Sequence, residues 1–168
     1  MNNLVALLGD TLLQPGGDGT VSTSEALKSK TVGLYFSAHW CPPCRKFTPQ
    51  LAKKYKALKE AGKDFEIVFV SSDRDEDAFD KYHGEMPILT LPFQSHNKKR
   101  ALSTMYNMRS IPTLVVLNSD GDMITEDGRM AVSSGSYIEE FPWISSSSCF
   151  FDSCLNGDAS EVMAGKGP

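Results

Sequence analysis

Two short runs of apolar residues predict the central strands of a β-sheet. Residues 32–38 (VGLYFSA) and 65–71 (FEIVFVS) are rich in β-branched and aromatic side chains. Their length and composition favour strands that are covered on both faces, as in the sheets of α/β proteins. The chain is therefore expected to build its core around a buried sheet.

Between these two runs, the pattern over residues 42–61 predicts a long helix. Four apolar residues at helical spacing form its expected inner face: Phe47, Leu51, Tyr55 and Leu58. Lysines occupy other positions, and Gly62 is expected to end the helix. Pro49 lies inside the pattern and removes one backbone hydrogen bond, so we expect a kink there.

Shorter segments complete the pattern. Residues 74–83 and a segment beginning at Asn97 are predicted as helices, and residues 86–93, which hold two prolines, as an extended connection. Residues 112–117 and 123–125 flank a Ser-Asp-Gly sequence that predicts a hairpin. The side chains predicted to face the core from the two helices are Ala78, Phe79, Tyr82, Leu102, Met105 and Tyr106.

The two ends of the chain differ from its middle. Residues 1–30 hold short apolar pieces broken by glycine-rich turns, which predicts an accessory segment of the same domain that contains a hairpin. Residues 31–143 are predicted to form the main domain, in which Gly128 marks a turn. Residues 144–168 include six serines and a single basic residue, a composition that predicts a polar, disordered tail.

The order of the elements predicts the fold class. Two strand–helix units followed by a hairpin are typical of an α/β fold in which a central mixed sheet is flanked by helices. The chain has 168 residues, of which 40% are hydrophobic and 23% charged. A chain of this length can bury a core without disulfide bonds, so its four cysteines are not needed as a scaffold.

Charge and hydropathy exclude several classes of protein. The formal net charge of −4 argues against a general nucleic-acid binder, which carries a basic surface. The N-terminus lacks the basic start and longer apolar stretch of a secretory signal, and we see no apolar run of membrane-spanning length. We therefore expect a protein of the cytoplasm or nucleus, where thiols are kept reduced.

The candidate chemistry lies in the sequence WCPPC, where the first strand meets the long helix. Cys41 falls at the predicted helix N-terminus, where unpaired N–H groups and the helix dipole favour a thiolate. Cys44 lies one helical turn further on, close enough to form a disulfide bond with Cys41. Pro42 and Pro43 restrict the turn between them. Such a pair can attack a substrate disulfide and then resolve the mixed disulfide.

The motifs around this pair resemble those of the thioredoxin superfamily, and more narrowly those of the nucleoredoxin and tryparedoxin family. Five segments carry the resemblance in the same order along the chain: WCPPCRKFTPQL, FEIVFVSSDRDED, EMPILTLPF, SIPTLVVLNSDGD and EFPW. The resemblance extends over residues 33–143. It implies a thioredoxin-like fold and thiol–disulfide chemistry.

The resemblance also implies roles for individual residues. Cys41 would be the nucleophile and Cys44 the resolving thiol, with a redox-active disulfide between them. Ile111–Pro112 lies where the superfamily has a cis-proline, beside which the backbone of Ile111 would pair with a substrate strand. The residues expected to support the site or to contact substrate are Trp40, Pro42, Pro43, Arg45, Ile111, Pro112 and Arg129.

Two positions depart from related patterns. Thioredoxins carry a buried Asp six residues before the nucleophile, and this chain has Tyr35 there. The substitution agrees with the nucleoredoxin and tryparedoxin branch, but it leaves the proton acceptor for Cys44 unassigned. The branch usually has Trp after Met-Pro, whereas Ile88 follows Met86-Pro87 here. If that aromatic residue takes part in partner recognition, this chain differs in its partners.

The function implied is a protein-disulfide reductase that needs no bound cofactor. An external donor, either a flavoprotein reductase using NADPH or a low-molecular-weight dithiol, would restore the dithiol. Its partners would be proteins with disulfide bonds and this reductant, with no nucleic acid and no membrane, and we expect a monomer. The alternative is a redox-sensitive module of the nucleoredoxin type, which holds signalling partners instead of turning over substrate.

Two further alternatives fit the cysteines less well. Four thiols could bind zinc, but 104 residues separate Cys44 from Cys149, and Cys149 and Cys154 lie in the predicted tail. A secreted reductase of the cytochrome-maturation type shares WCPPC, but it needs a signal or anchor that the sequence does not show. The tail cysteines are interpreted as incidental, and the alternative is that they form a regulatory disulfide or a partner contact.

Overall fold

A computed structural model describes residues 3–144 of the chain. The predicted tail, together with Cys149 and Cys154, lies outside these described residues apart from Ile144. In chain order the elements are α1 (Asn3–Leu8), β1 (Thr11–Leu13), a 3₁₀ turn (Pro15–Gly17), β2 (Thr20–Ser22), α2 (Thr23–Ala26), β3 (Thr31–Ser37), α3 (Pro42–Glu60), β4 (Phe65–Ser71), α4 (Glu76–Gly84), β5 (Leu89–Thr90), α5 (His96–Met105), β6 (Thr113–Leu117), β7 (Met123–Thr125) and α6 (Gly128–Ser133).

The described strands form one mixed sheet of seven, in the order β2-β1-β5-β4-β3-β6-β7. At its centre β3 pairs in parallel with β4, from Thr31↔Phe65 to Ser37↔Ser71, and β4 pairs in parallel with β5. On its other edge β3 pairs antiparallel with β6, which forms a hairpin with β7. The predicted α/β fold with a central mixed sheet is confirmed.

The N-terminal segment extends this sheet. β1 and β2 form an antiparallel hairpin, as predicted, and β1 joins the sheet through the pairing of Leu13 with Thr90 in β5. Three leucines anchor the segment: Leu4, Leu8 and Leu12 are each at most 1% exposed and belong to the same hydrophobic cluster as the sheet residue Val68. The hairpin is therefore stabilised by the core of the main domain.

Side chains from the two faces of the sheet form two hydrophobic clusters. One contains Tyr35, Phe69 and the inner face of α3, and the other contains Leu34, Val68 and the helices α1 and α5. Every residue of β4 is buried, and all of β3 except its first residue is buried. Successive side chains of a strand point to opposite faces, so the expectation that these two strands are covered on both faces is confirmed.

Three details differ from the sequence-based expectations. The connection over residues 86–93 contains β5, because two of its residues complete the backbone pairing between β4 and the N-terminal hairpin. Met105, which was expected to face the core, is 58% exposed. Around the axis of α5 it lies roughly 60° to one side of the buried Leu102. Tyr106 lies about 40° to the other side, where it packs against the core. Gly128 begins α6 instead of marking a turn.

Candidate active site

The two cysteines lie where the buried strand β3 gives way to α3. Cys41 is the N-cap residue of α3 and Cys44 is the third residue of the helix. The helix extends without interruption through Pro49 to Glu60. Cys41 is 4% exposed and Cys44 is fully buried, and the two form a small cluster with Ala38 and the half-buried Ile111. The fold thus places one thiol at the edge of the site and the other behind it.

The helix N-terminus is directed at the sulfur of Cys41. The backbone N–H of Cys44 donates to Cys41 Sγ over 3.4 Å. Pro42 and Pro43 lack N–H groups, so this donor is the first N–H of α3. A sulfur in this position gains from the N–H bond and from the positive end of the helix dipole when it is a thiolate. Both cysteines are present as free thiols.

The loop before β6 closes the other side of Cys41. The Ile111–Pro112 peptide bond is cis, and Cys41 Sγ lies 3.9 Å from the carbonyl oxygen of Ile111. Arg129, from α6, donates through Nη1 to the carbonyl oxygen of Pro112 at 3.0 Å, and its guanidinium lies 5.1 Å from the centre of the Phe47 ring. Arg129 is therefore bound to the loop that faces Cys41.

Trp40 forms an exposed rim beside Cys41. Its side chain is 51% exposed, and its indole N–H donates to the carbonyl oxygen of Ser72 at 3.1 Å. The guanidinium of Arg74 lies 5.5 Å from the centre of the indole ring. Asp73, which lies between Ser72 and Arg74 in the chain, accepts a hydrogen bond from the backbone N–H of His39 at 2.7 Å. Contacts from the end of β4 thus hold the two residues that precede Cys41.

Four hydroxyl-bearing side chains lie behind Cys44 and form what we call the hydroxyl cluster: Tyr35, Ser37, Thr48 and Tyr82. The hydroxyl of Tyr82 is hydrogen-bonded to Ser37 at 3.0 Å and to Thr48, and the hydroxyl of Tyr35 lies 2.7 Å from Thr48 Oγ1. Thr48 also donates to the backbone carbonyl of Cys44. Tyr35, at the position where thioredoxins carry a buried Asp, thus belongs to a network of hydroxyl groups that contains no carboxylate.

Burial determines the acidity of Cys44. Loss of solvation is the largest cause that raises the pKa of its thiol, and the hydrogen bond with Cys41 acts in the same direction. Hydrogen bonds from Ser37 and from the Ala38 backbone oppose them, and the resulting pKa is about 11. Burial also raises the pKa of both tyrosines in the hydroxyl cluster. These hydroxyls stay protonated at neutral pH, so the cluster can donate hydrogen bonds to the Cys44 thiolate but cannot act as the base that forms it.

The alkylation rate of Cys44 in the reduced protein should keep rising with pH. A thiol with a pKa of about 11 gains about tenfold in thiolate for each pH unit between pH 8 and pH 10, whereas an ordinary thiol approaches its plateau above about 8.5. The measurement is iodoacetamide labelling followed by peptide mass mapping of Cys44. Ser37→Ala should slow labelling further, since it removes a donor to the thiolate. A plateau in the alkylation rate of Cys44 below pH 9 would contradict the raised pKa of this thiol.

The remaining residues that the sequence singled out for the site lie in the helix that Cys41 caps. Pro42, Pro43 and Arg45 lie in the first turn of α3 with exposed side chains. By contrast, Ile88 is 3% exposed and belongs to the core, so its side chain offers no surface for a partner.

Sequence reasoning missed Asp73, Arg74 and most of the hydroxyl cluster. One signal was available for the first two: they follow β4, the predicted neighbour of β3, and parallel strands end at the same edge of a sheet. Nothing in the local pattern marked Thr48, and the spacing predicted Tyr82 only as a core residue of its helix. Helical spacing indicates which face of a helix is buried, but not which polar groups of other elements a side chain will meet.

The described part of the chain holds neither a candidate metal site nor a candidate membrane span. Residues 3–144 contain no group of three or more His, Cys, Asp or Glu side chains able to hold a metal ion. None of the helices within the same residues is long and apolar enough to cross a membrane.

Comparisons with known proteins give concordant results. The sequence model of a thioredoxin-like family matches residues 29–123. Mouse (Mus musculus) nucleoredoxin is 44% identical over 137 residues, which cover 82% of this chain and 31% of that protein. The chain therefore spans less than a third of the length of the curated nucleoredoxin it matches.

Solved tryparedoxin structures match over almost their whole length. Tryparedoxin from Trypanosoma brucei is 39% identical with a TM-score of 0.78, and the match covers 86% of this chain and 99% of that one. A tryparedoxin II complexed with glutathionylspermidine is also 39% identical, with a TM-score of 0.75 and coverage of 80% and 92%.

Proposed function

The chain belongs to the thioredoxin-like family of oxidoreductases that includes nucleoredoxins and tryparedoxins, and on that premise we propose that it reduces protein disulfides through Cys41 and Cys44. The observation that carries the proposal is the difference between the two thiols. Cys41 caps α3 and faces the Ile111 carbonyl, whereas Cys44 is fully buried behind it with a raised pKa. One sulfur is thus suited to attack and the other to release.

In the first step the Cys41 thiolate attacks one sulfur of the substrate disulfide. A bond forms between Cys41 Sγ and that sulfur, the substrate S–S bond breaks, and the second substrate sulfur leaves as a thiolate that takes up a proton. The N–H of Cys44 and the N-terminus of α3 support this step, because they stabilise the thiolate before the attack.

In the second step Cys44 attacks Cys41 Sγ. The Cys41–Cys44 disulfide forms, the mixed disulfide breaks, and the first substrate sulfur leaves and takes up the second proton. Two electrons have then passed from the dithiol to the substrate. Cys44 must lose its proton during this step, and the Ser37 hydroxyl supports the loss because its hydrogen bond lowers the pKa of the thiol.

The substrate is placed by the loop that carries Ile111 and Pro112. The Ile111 carbonyl lies beside Cys41 Sγ, so a substrate strand that pairs with this backbone brings its disulfide to the nucleophile. Arg129 supports the loop through the Pro112 carbonyl. In this arrangement Arg129 acts as a positioning residue.

An external donor returns the Cys41–Cys44 disulfide to the dithiol. The chemistry requires two electrons and two protons, which a flavoprotein reductase using NADPH or a small dithiol can supply. The tryparedoxin II complex with glutathionylspermidine supports a small thiol as one candidate for this donor. The reaction itself needs no bound cofactor.

Catalysed reduction of insulin tests the proposal. In dithiothreitol, the protein should accelerate precipitation of the insulin B chain at concentrations far below that of insulin, because each molecule turns over many times. The control is the variant Cys41→Ser/Cys44→Ser, which should match the rate without protein. Equal rates for the wild type and this control would contradict the proposal, and redox-dependent binding of a partner without turnover would favour the regulatory module.

A further inference from the structure

An exposed cation lies on the rim of the site without a described role. Trp40 and Arg74 together form what we call the Trp40–Arg74 platform: the half-exposed indole is fixed by its hydrogen bond to Ser72, and the guanidinium lies over the ring. Trp40 directly precedes Cys41, so the platform adjoins the nucleophile. A guanidinium stacked on an aromatic ring keeps the N–H groups at its edge available for other partners.

The carboxylates nearest to Arg74 in the chain have other partners. Asp73 is 9% exposed and accepts the His39 N–H and the Ser71 hydroxyl, and Asp75 caps α4 through the N–H of Ala78. Within residues 3–144 the ion pairs all involve Glu66. Among the described residues Arg74 therefore forms no ion pair, and it presents its positive charge at the rim of the site.

We propose that the Trp40–Arg74 platform binds a carboxylate beside the substrate disulfide, so that the preferred substrates carry an acidic residue next to the attacked cysteine. This inference rests on the proposed function and adds a substrate class to it. The planar guanidinium can bind a carboxylate through two parallel hydrogen bonds, and the indole restricts its motion. The occupant is thus an acidic segment of a protein substrate.

The rim on the other side of the nucleophile has a different charge. A groove of about 450 Å³ beside Pro112 is lined by Glu126 and Asp127 as well as by Arg129. The two carboxylates repel an acidic segment, whereas Arg74 attracts it. Charge complementarity therefore favours substrates whose acidic residue lies towards the platform.

Equilibrium binding of matched peptides tests the platform separately from turnover. Three disulfide peptides differ only at one residue beside the cysteine, which is Glu, Gln or Lys. The Cys41→Ser/Cys44→Ser protein is titrated with each peptide at low salt, and Trp fluorescence reports binding. We expect the Glu peptide to bind about two- to fivefold more tightly than the Gln peptide, the range of an exposed ion pair, and the Lys peptide to bind most weakly.

Two further variants in the same background locate the effect. Arg74→Gln should abolish the difference between the Glu and Gln peptides. Lys56→Gln removes an equal charge from the exposed side of α3, roughly four helical turns from Cys41, and should leave the difference unchanged. High salt should reduce the preference in the protein with Arg74.

The outcomes separate this inference from the proposed function. Equal affinity for the three peptides, a Glu preference that survives Arg74→Gln, or an equal loss in Lys56→Gln would each overturn the role of the platform. Turnover of the same peptides by the protein with both cysteines is measured in parallel. Reduction of all three peptides at equal rates would support the proposed disulfide reduction but not the role of the platform. Selective binding of the Glu peptide without reduction would contradict the proposed disulfide reduction but not the role of the platform.

Discussion

Replacing Cys44 by serine is expected to trap substrates as mixed disulfides with Cys41 and to abolish turnover. The nucleophile keeps its helix N-terminus, since the backbone N–H that donates to Cys41 Sγ belongs to residue 44 and not to its side chain. The buried thiol that would attack the mixed disulfide is absent. Trapped species should appear as larger bands on non-reducing gels of cell extract and disappear with dithiothreitol.

The opposite replacement is expected to trap almost nothing. In Cys41→Ser the remaining thiol is fully buried. Burial, the largest cause of its raised pKa, persists in this variant, so little of the thiol is thiolate at neutral pH. Adding Cys149→Ser and Cys154→Ser to the trapping variant is the matched control and should change little. Equal trapping by the two single variants would contradict the assigned roles, and trapping that depends on Cys149 or Cys154 would place the chemistry outside the CPPC motif.

The largest effect on stability is expected for Gly128→Ala. A Cβ at this position would lie 2.6 Å from the carbonyl oxygen of Leu114 and 2.9 Å from side-chain atoms of Leu114 and Val116. Because the closest of these atoms belongs to the backbone of β6, the strand and α6 must move apart. We expect a loss of about 3 kcal/mol in the free energy of unfolding, the upper part of the range for overpacking, measured by urea denaturation.

Gly135→Ala is the matched control for this prediction. A Cβ at position 135 meets no atom within 4 Å, so the free energy of unfolding should change by about 0.5 kcal/mol or less. Separation of α6 from β6 should also weaken the bond between Arg129 and the Pro112 carbonyl, so Gly128→Ala should impair turnover as well. Equal unfolding midpoints for the two variants would show that α6 adapts without cost.

The sequence predicted the central part of the fold because the relevant signals are local. The apolar runs identified β3 and β4, and the spacing from Phe47 to Leu58 identified α3. Three of the four residues on that predicted face are buried, and Tyr55 is half-buried. The short strand β5 could not be predicted in the same way, because it exists only through its pairing with β4 and β1.

The location of the candidate cysteine pair was also predicted from the sequence alone. The chain has two cysteines with two prolines between them at a strand-to-helix junction. This local pattern places a thiol at a helix N-terminus and does not depend on the rest of the chain. The cis bond before Pro112 followed from the order of motifs that the chain shares with its family. The first prediction needed only residue type and position along the chain, whereas the second also needed the resemblance to the family.

The surroundings of the pair were decided by the tertiary structure. The parallel register of β3 and β4, which sets Ser37 opposite Ser71, carries Ser72, Asp73 and Arg74 to the loop before Cys41. The hydroxyl cluster joins side chains from β3, α3 and α4. Hydrophobic spacing specifies which face of an element is buried but not which polar groups of distant elements will meet, because that depends on register and packing.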